Sequence, residues 1–183
     1  MPFPFNRIPP RPLSPCSSKS PAEHISILTR PYLEEFLIAV YQHYDIAFWS
    51  QTSWRWLEAK LTEMQILTHH LFKVCFVMDK TTMFEVRYRY KQDIRAHEVK
   101  ALQIIWEKVP QFHSRNTIHI DDLSRNFVMN PKNGLKVKAF KNAPAMRDDQ
   151  ELLLLKRYLL EISQLEDLTK LDHGIWKDFL KKI

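Results

Sequence analysis

The sequence predicts an α/β domain: a parallel sheet flanked by helices, with a β-hairpin insertion. Three observations support this fold class. Short apolar runs typical of buried strands alternate with segments whose apolar residues recur at helical spacing. Two of these runs end in polar side chains, at the edge where open parallel sheets bind ligands. Between them lies a segment with period-two alternation, which predicts the hairpin.

Residues 1–21 differ in composition from the rest of the chain. They hold seven of the eleven prolines, four serines and no acidic residue. Because proline lacks an N–H and fixes φ, we predict a disordered or polyproline-type tail, followed by one domain over 22–183. The tail's Arg/Ser content is similar to that of a mitochondrial transit peptide, but its prolines disfavour the amphipathic helix such peptides need.

The first half of the predicted domain alternates helix and strand. A helix is predicted over 31–44, with Thr29 as N-cap and Pro31 in the first turn. The apolar run 45–50 predicts a buried parallel strand. A second helix over 53–64 carries an apolar face, which consists of Trp54, Leu57, Leu61 and Met64.

The second half supplies the hairpin, another strand and the closing helices. We predict that 73–78 and 83–90 pair as antiparallel strands around a turn at 79–82. The run 117–122 predicts a buried strand ending in two carboxylates. Helices near 148–165 and 172–182 complete the fold.

Composition excludes several kinds of site. Two glycines are too few for a glycine-rich phosphate loop, and two cysteines without a C-x-x-C pair exclude a cysteine-based zinc site. No apolar run approaches the roughly 20 residues that span a bilayer. The net charge of +6 suits an acidic partner, such as a phosphoprotein, a nucleic acid or a membrane surface, without choosing among them.

Four polar residues at predicted strand ends and helix starts carry the candidate chemistry: Ser50, Lys100, Asp121 and Asp122. A hydroxyl can hydrogen-bond a phosphoryl oxygen, an ammonium neutralises its charge, and carboxylates recruit Mg²⁺. Spacing alone favours a plain strand-end residue for the serine and a surface residue for the lysine, and it leaves the aspartates open between a site and a solvated strand end. Arg87 and Arg89 either bind an acidic phosphopeptide or form the polar face of a surface hairpin.

Longer segments resemble a known family. Residues 30–37, 44–53, 98–102 with 105–106, and 116–136 are similar, in order, to the RNA polymerase II C-terminal-domain phosphatases of the haloacid dehalogenase superfamily. The similarity is greatest to the branch that carries a ubiquitin-like domain. The last segment, with its Asp-Asp, Arg-Asn-Phe, Asn-Pro and Asn-Gly-Leu groups, is the most specific.

The resemblance assigns roles to the candidate residues. It implies that Ser50 and Lys100 bind the phosphoryl group, that Asp121 with Asp122 holds Mg²⁺, and that Asn126 orders the same loop. It further implies a Mg²⁺-dependent serine/threonine phosphatase that is located in the nucleus, with the cytoplasm as the alternative. Its substrates would be the phosphorylated C-terminal domain of RNA polymerase II or proteasome-linked phosphoproteins, with no direct contact to membrane or nucleic acid.

One departure from the family limits these expectations. The family's first motif, Asp-x-Asp-x-Thr, supplies the nucleophile and ends the first central strand, but the sequence contains no Asp-x-Asp. We therefore expect an N-terminally truncated domain with a gap in its sheet, a weakened Mg²⁺ site and little activity. The alternative is a non-catalytic phosphopeptide-binding adaptor. A role in mitochondrial import is disfavoured.

Overall fold

A computed structural model describes residues 29–141 and 143–183 of the chain, so the predicted tail at 1–21 lies outside the described residues. The α/β prediction is confirmed. The α-helices are α1 Leu33–Tyr41, α2 Trp54–Glu63, α3 Gln103–Lys108, α4 Glu151–Ile162 and α5 Trp176–Leu180. The strands are β1 Ile46–Trp49, β2 Val74–Met78, β3 Phe84–Tyr90, β4 Asp93–Val99, β5 His119–Asp121 and β6 Gly134–Lys136.

The strands form three pairs. β1 runs parallel to β2, and β5 runs parallel to β6. β3 and β4 form an antiparallel ladder from Phe84 opposite Val99 to Tyr90 opposite Asp93. Within the described residues, the two parallel pairs are separate two-stranded sheets.

The predicted pairing of the hairpin is wrong. β2 follows the crossover helix α2 and therefore lies beside β1 in parallel, the usual result of a strand–helix–strand unit. Residues 79–82 form a 3₁₀ turn, Lys80–Thr82, which the side chain of Asp79 caps. The true partner of β3 is β4, which the sequence analysis missed.

The hydrophobic core lies between the parallel pairs and the helices α1, α2, α4 and α5. Helix α1 contributes Phe36, Leu37 and Val40, and helix α4 contributes an apolar face that packs on it. The buried residues of α4 in this cluster are Leu152, Leu155, Tyr158, Leu159 and Ile162. A fully buried large apolar side chain contributes about 1.5–3 kcal/mol, so this helix pair contributes strongly to stability.

Two details of the helices differ from the sequence-based expectation. Helix α1 begins at Leu33 instead of residue 31, because Tyr32 adopts a left-handed conformation (φ 65°) and ends the preceding turn. Trp54, predicted to lie on the core face of α2, is 47% exposed, and the buried residues of that helix are Leu57 and Leu61. The described helices are all too short or too polar to cross a membrane.

Candidate functional site

A buried ion pair joins the ends of β4 and β5. Lys100 follows β4 directly, and Asp121 is the last residue of β5. The Lys100 Nζ donates a hydrogen bond of 2.5 Å to Asp121 Oδ2, and the two side chains are only 9% and 8% exposed. The structure therefore brings together two of the predicted site residues.

Further donors surround the Asp121 carboxylate. Asn126 Nδ2 donates to Oδ2 at 2.9 Å, and the backbone N–H of Leu123 donates to Oδ1 at 2.8 Å. Burial alone would raise the pKa of Asp121, but the charge and hydrogen bond of the Lys100 ammonium and the hydrogen bond from the Leu123 N–H hold that pKa well below its usual range. The carboxylate is therefore ionised at neutral pH.

Asn126 lies in the loop that follows β5, as the resemblance implied. It belongs to the 3₁₀ turn Ser124–Phe127, and it is 2% exposed. The next residue, Phe127, packs so closely on Gly134 at the start of β6 that a Cβ there would meet the ring at 2.3 Å. Only glycine fits at 134, which keeps the turn against the strand and the Asn126 amide on Asp121.

Ser50 lies directly after β1, in a loop that is ordered by hydrogen bonds within itself and to the segment around Asp79. Its Oγ is 2.8 Å from Thr52 Oγ1 and accepts the Thr52 N–H at 3.1 Å. Asp79 then caps α2, since its Oδ2 accepts the Trp54 N–H at 2.8 Å. The Lys80 N–H also donates to the Thr52 carbonyl. Ser50 itself is half-buried.

Two contacts link the Ser50 loop to the ion pair. Gln51 Nε2 lies 3.5 Å from Glu98 Oε2, two residues before Lys100. Trp49, which precedes Ser50, stacks on His119, two residues before Asp121, with ring centroids 6.4 Å apart. The carboxyl ends of β1 and β5 and the end of β4 therefore meet at one edge of the domain.

Three predicted residues remain: Asp122, Arg87 and Arg89. Asp122 is half-buried beside Asp121. Arg87 and Arg89 are exposed on one face of β3, and Arg87 Nε pairs with Glu85 Oε1 at 2.8 Å. The hairpin extends outward from the fully buried Val99, and no contact described in the structure connects either arginine to Lys100.

Sequence reasoning missed the aromatic layer beneath the site. His119 is 9% exposed, stacks on Trp49 and meets the Phe127 ring edge-on at 5.0 Å. Its Nε2 is 3.8 Å from Asp121 Oδ2. Within the described residues, neither its ring nitrogens nor Trp49 Nε1 has a hydrogen-bond partner. A histidine within an apolar strand run was the available signal.

Comparison with known proteins decides the family. The model of the NLI interacting factor-like phosphatase family matches residues 11–169. The chain belongs to this family. The finding confirms both the resemblance and the haloacid-dehalogenase-like fold.

Curated relatives agree with this assignment. Ubiquitin-like domain-containing CTD phosphatase 1 of Xenopus tropicalis is 45% identical over 166 residues, which cover 90% of this chain and 51% of that protein. Its counterpart in Homo sapiens is 45% identical over 157 residues, covering 85% and 48%. The Arabidopsis thaliana phosphatase is 47% identical over 164 residues, covering 88% and 47%. The chain thus spans about half the length of these relatives.

Phosphatases of the NLI interacting factor-like family generally use Mg²⁺, so the described residues can be tested against that ion. Mg²⁺ prefers octahedral oxygen ligands, commonly one or two carboxylates with phosphate and water. Both oxygens of Asp121 already accept hydrogen bonds, one of them from an ammonium. The described residues contain no group of three or more potential metal ligands. In this arrangement the Lys100 ammonium already holds Oδ2 of Asp121, so Asp121 and Asp122 fit Mg²⁺ poorly.

Proposed function

We propose that this chain is the phosphoryl-binding part of a protein serine/threonine phosphatase. The observation that carries the proposal is the buried Lys100 ammonium at the edge where β1, β4 and β5 end, the same edge that carries the ordered Ser50 hydroxyl. Lysine and hydroxyl groups there can hold a phosphoryl group by charge and by hydrogen bonding. Membership of a phosphatase family supports a phosphoprotein as the ligand.

Each residue has a defined chemical part in this proposal. Lys100 neutralises the charge on the phosphoryl oxygens, and the Ser50 Oγ donates a hydrogen bond to one of them. Hydrolysis in the family requires an aspartate nucleophile, and the sequence contains no Asp-x-Asp. We therefore expect the sequence as given to bind phosphoproteins with hydrolysis near the background rate and with weak Mg²⁺ binding.

The names of the relatives indicate which substrates to test. They are called CTD phosphatases, which makes phosphorylated repeats of the RNA polymerase II C-terminal domain the first peptide probe and a nuclear location the corresponding expectation. Proteasome-linked phosphoproteins are the second substrate class within the same proposal.

Fluorescence anisotropy with a labelled phosphoserine peptide tests the proposal. We expect the phosphorylated peptide to bind more tightly than the plain peptide, with an affinity that falls as salt increases. Lys100→Met should remove the difference between the two peptides, while Lys132→Met, an exposed lysine, should preserve it. Equal affinity of the wild-type chain for both peptides would overturn the proposal.

The catalytic part needs its own experiment. A fusion that supplies an Asp-x-Asp-x-Thr strand ahead of the chain should release phosphate from the phosphopeptide, and Ser50→Ala in that fusion should slow the release. Release by the unfused chain at the same rate would contradict the expected low activity.

The adaptor alternative rests on a separate observation, the two exposed arginines of the hairpin, which share their face of the ladder with Glu85 and Glu98. Arg87 and Arg89 lie two residues apart on β3, and their register partners are Ala96 and Ile94, which leave that face open. A double substitution of both arginines by alanine should weaken the phosphopeptide and leave inorganic phosphate binding unchanged. If both ligands weaken equally, the face is not a peptide-docking surface.

A further inference from the structure

In the Lys100–Asp121 ion pair, the charge of each group is neutralised by the other. The ammonium and the carboxylate are in direct contact at 2.5 Å, and both side chains are more than nine-tenths buried. In a low-dielectric environment such a pair is far stronger than a surface ion pair. The positive charge that a phosphoryl group would seek is therefore already compensated.

Asp121 is fixed in this position by groups other than the lysine. The Leu123 N–H binds Oδ1 and the Asn126 amide binds Oδ2, so the loop after β5 holds the carboxylate toward Lys100. His119 Nε2 stands 3.8 Å from the same oxygen. An incoming phosphoryl group would meet a fixed negative charge next to the ammonium it needs.

We propose that Asp121 serves in this chain as the resident counter-ion of Lys100, so that a phosphoryl group must compete with the Asp121 carboxylate for the ammonium. The inference rests on the proposed phosphoryl-binding function of the site. It follows that neutralising Asp121 strengthens the binding of phosphate. If Asp121 were a Mg²⁺ ligand at this site, its neutralisation would weaken phosphate binding and remove any effect of Mg²⁺.

Isothermal titration calorimetry with inorganic phosphate distinguishes a counter-ion role of Asp121 from a Mg²⁺-ligand role. Asp121→Asn keeps the size of the side chain and the oxygen that accepts the Leu123 N–H, but it removes the negative charge. We expect phosphate to bind about tenfold more tightly, or better, which corresponds to about 1.4 kcal/mol. The affinity should be the same in Mg²⁺ and in a chelator.

Asp93→Asn is the matched control, since it changes the net charge of the chain equally. Asp93 begins β4, and seven residues of extended chain, about 23 Å, separate it from Lys100. Phosphate affinity should be unchanged in this variant. An increase as large as that of Asp121→Asn would assign the effect to net charge and overturn the inference.

The outcomes distinguish this inference from the proposed function. Lys100-dependent phosphate binding that Asp121→Asn leaves equal or weaker would overturn the inference and leave the proposed function standing. No phosphate binding by either protein would overturn both. If circular dichroism shows Asp121→Asn to be unfolded, the wild-type chain decides: tighter phosphate binding with Mg²⁺ overturns the inference, and an unchanged affinity supports it.

Discussion

The buried ion pair makes stability and the proposed phosphate binding depend on the same lysine. Lys100→Met removes the ammonium and leaves the ionised Asp121 carboxylate buried without its cation. We expect the free energy of unfolding to fall by about 3–5 kcal/mol, because an uncompensated buried charge is costly. Urea denaturation measures this, with Lys132→Met as the exposed control. A loss no greater than that of the control would mean that the pair is solvated.

Acid should destabilise the protein through Asp121. Its folded pKa lies below the unfolded value, so its ionisation stabilises the fold above about pH 4 and this contribution is lost as pH falls further. Urea denaturation at several pH values should show that the free energy of unfolding falls less steeply at acid pH in Asp121→Asn than in the wild-type chain. Some acid sensitivity should persist, because Asp149 beside Arg30 also has a lowered pKa. The same pH dependence in both proteins would contradict the view that Asp121 contributes to acid destabilisation.

At the scale of elements, Asp79 connects β2 to the start of α2. Its carboxylate accepts N–H groups from both Trp54 and Thr81. Asp79→Ala removes this cap, which should cost about 1 kcal/mol, within the 0.5–2 kcal/mol range of N-cap losses. Asp79→Asn retains an acceptor and should cost less. The order of the two variants in urea denaturation checks the prediction, and equal losses would indicate that charge alone matters.

Most individual helices and strands can be predicted from local sequence patterns, whereas the pairing of the strands cannot. The apolar runs around β1 and β5 predicted strands correctly, although the expected burial is only partial, since Ala47 and Ile120 are exposed. β4 was missed because Lys91 provides the positive φ of the turn (56°), where a glycine or asparagine would have signalled a hairpin. The same holds for the site. Sequence similarity identifies Lys100 and Asp121, but only the tertiary structure shows that they form a direct ion pair.

At the scale of the whole molecule, the parallel strands are only half paired within the described residues. β1 has β2 as its strand neighbour, and β5 has β6. In a parallel pair, alternate N–H groups of each strand point to the neighbour and the others point away. The helix pair α1–α4, in contrast, is bonded internally and packs into the core.

Hydrogen exchange should therefore divide the domain into two levels of protection. We expect the amides of α4 to exchange most slowly, because its hydrogen bonds break only when the core opens. Alternate amides of β1 and β5 should exchange much faster, and residue-resolved NMR measurements can distinguish them from their neighbours. Uniform protection along β1 and β5 would show that another extended segment pairs with the free sides of both strands, and the sheet would then be continuous across the site.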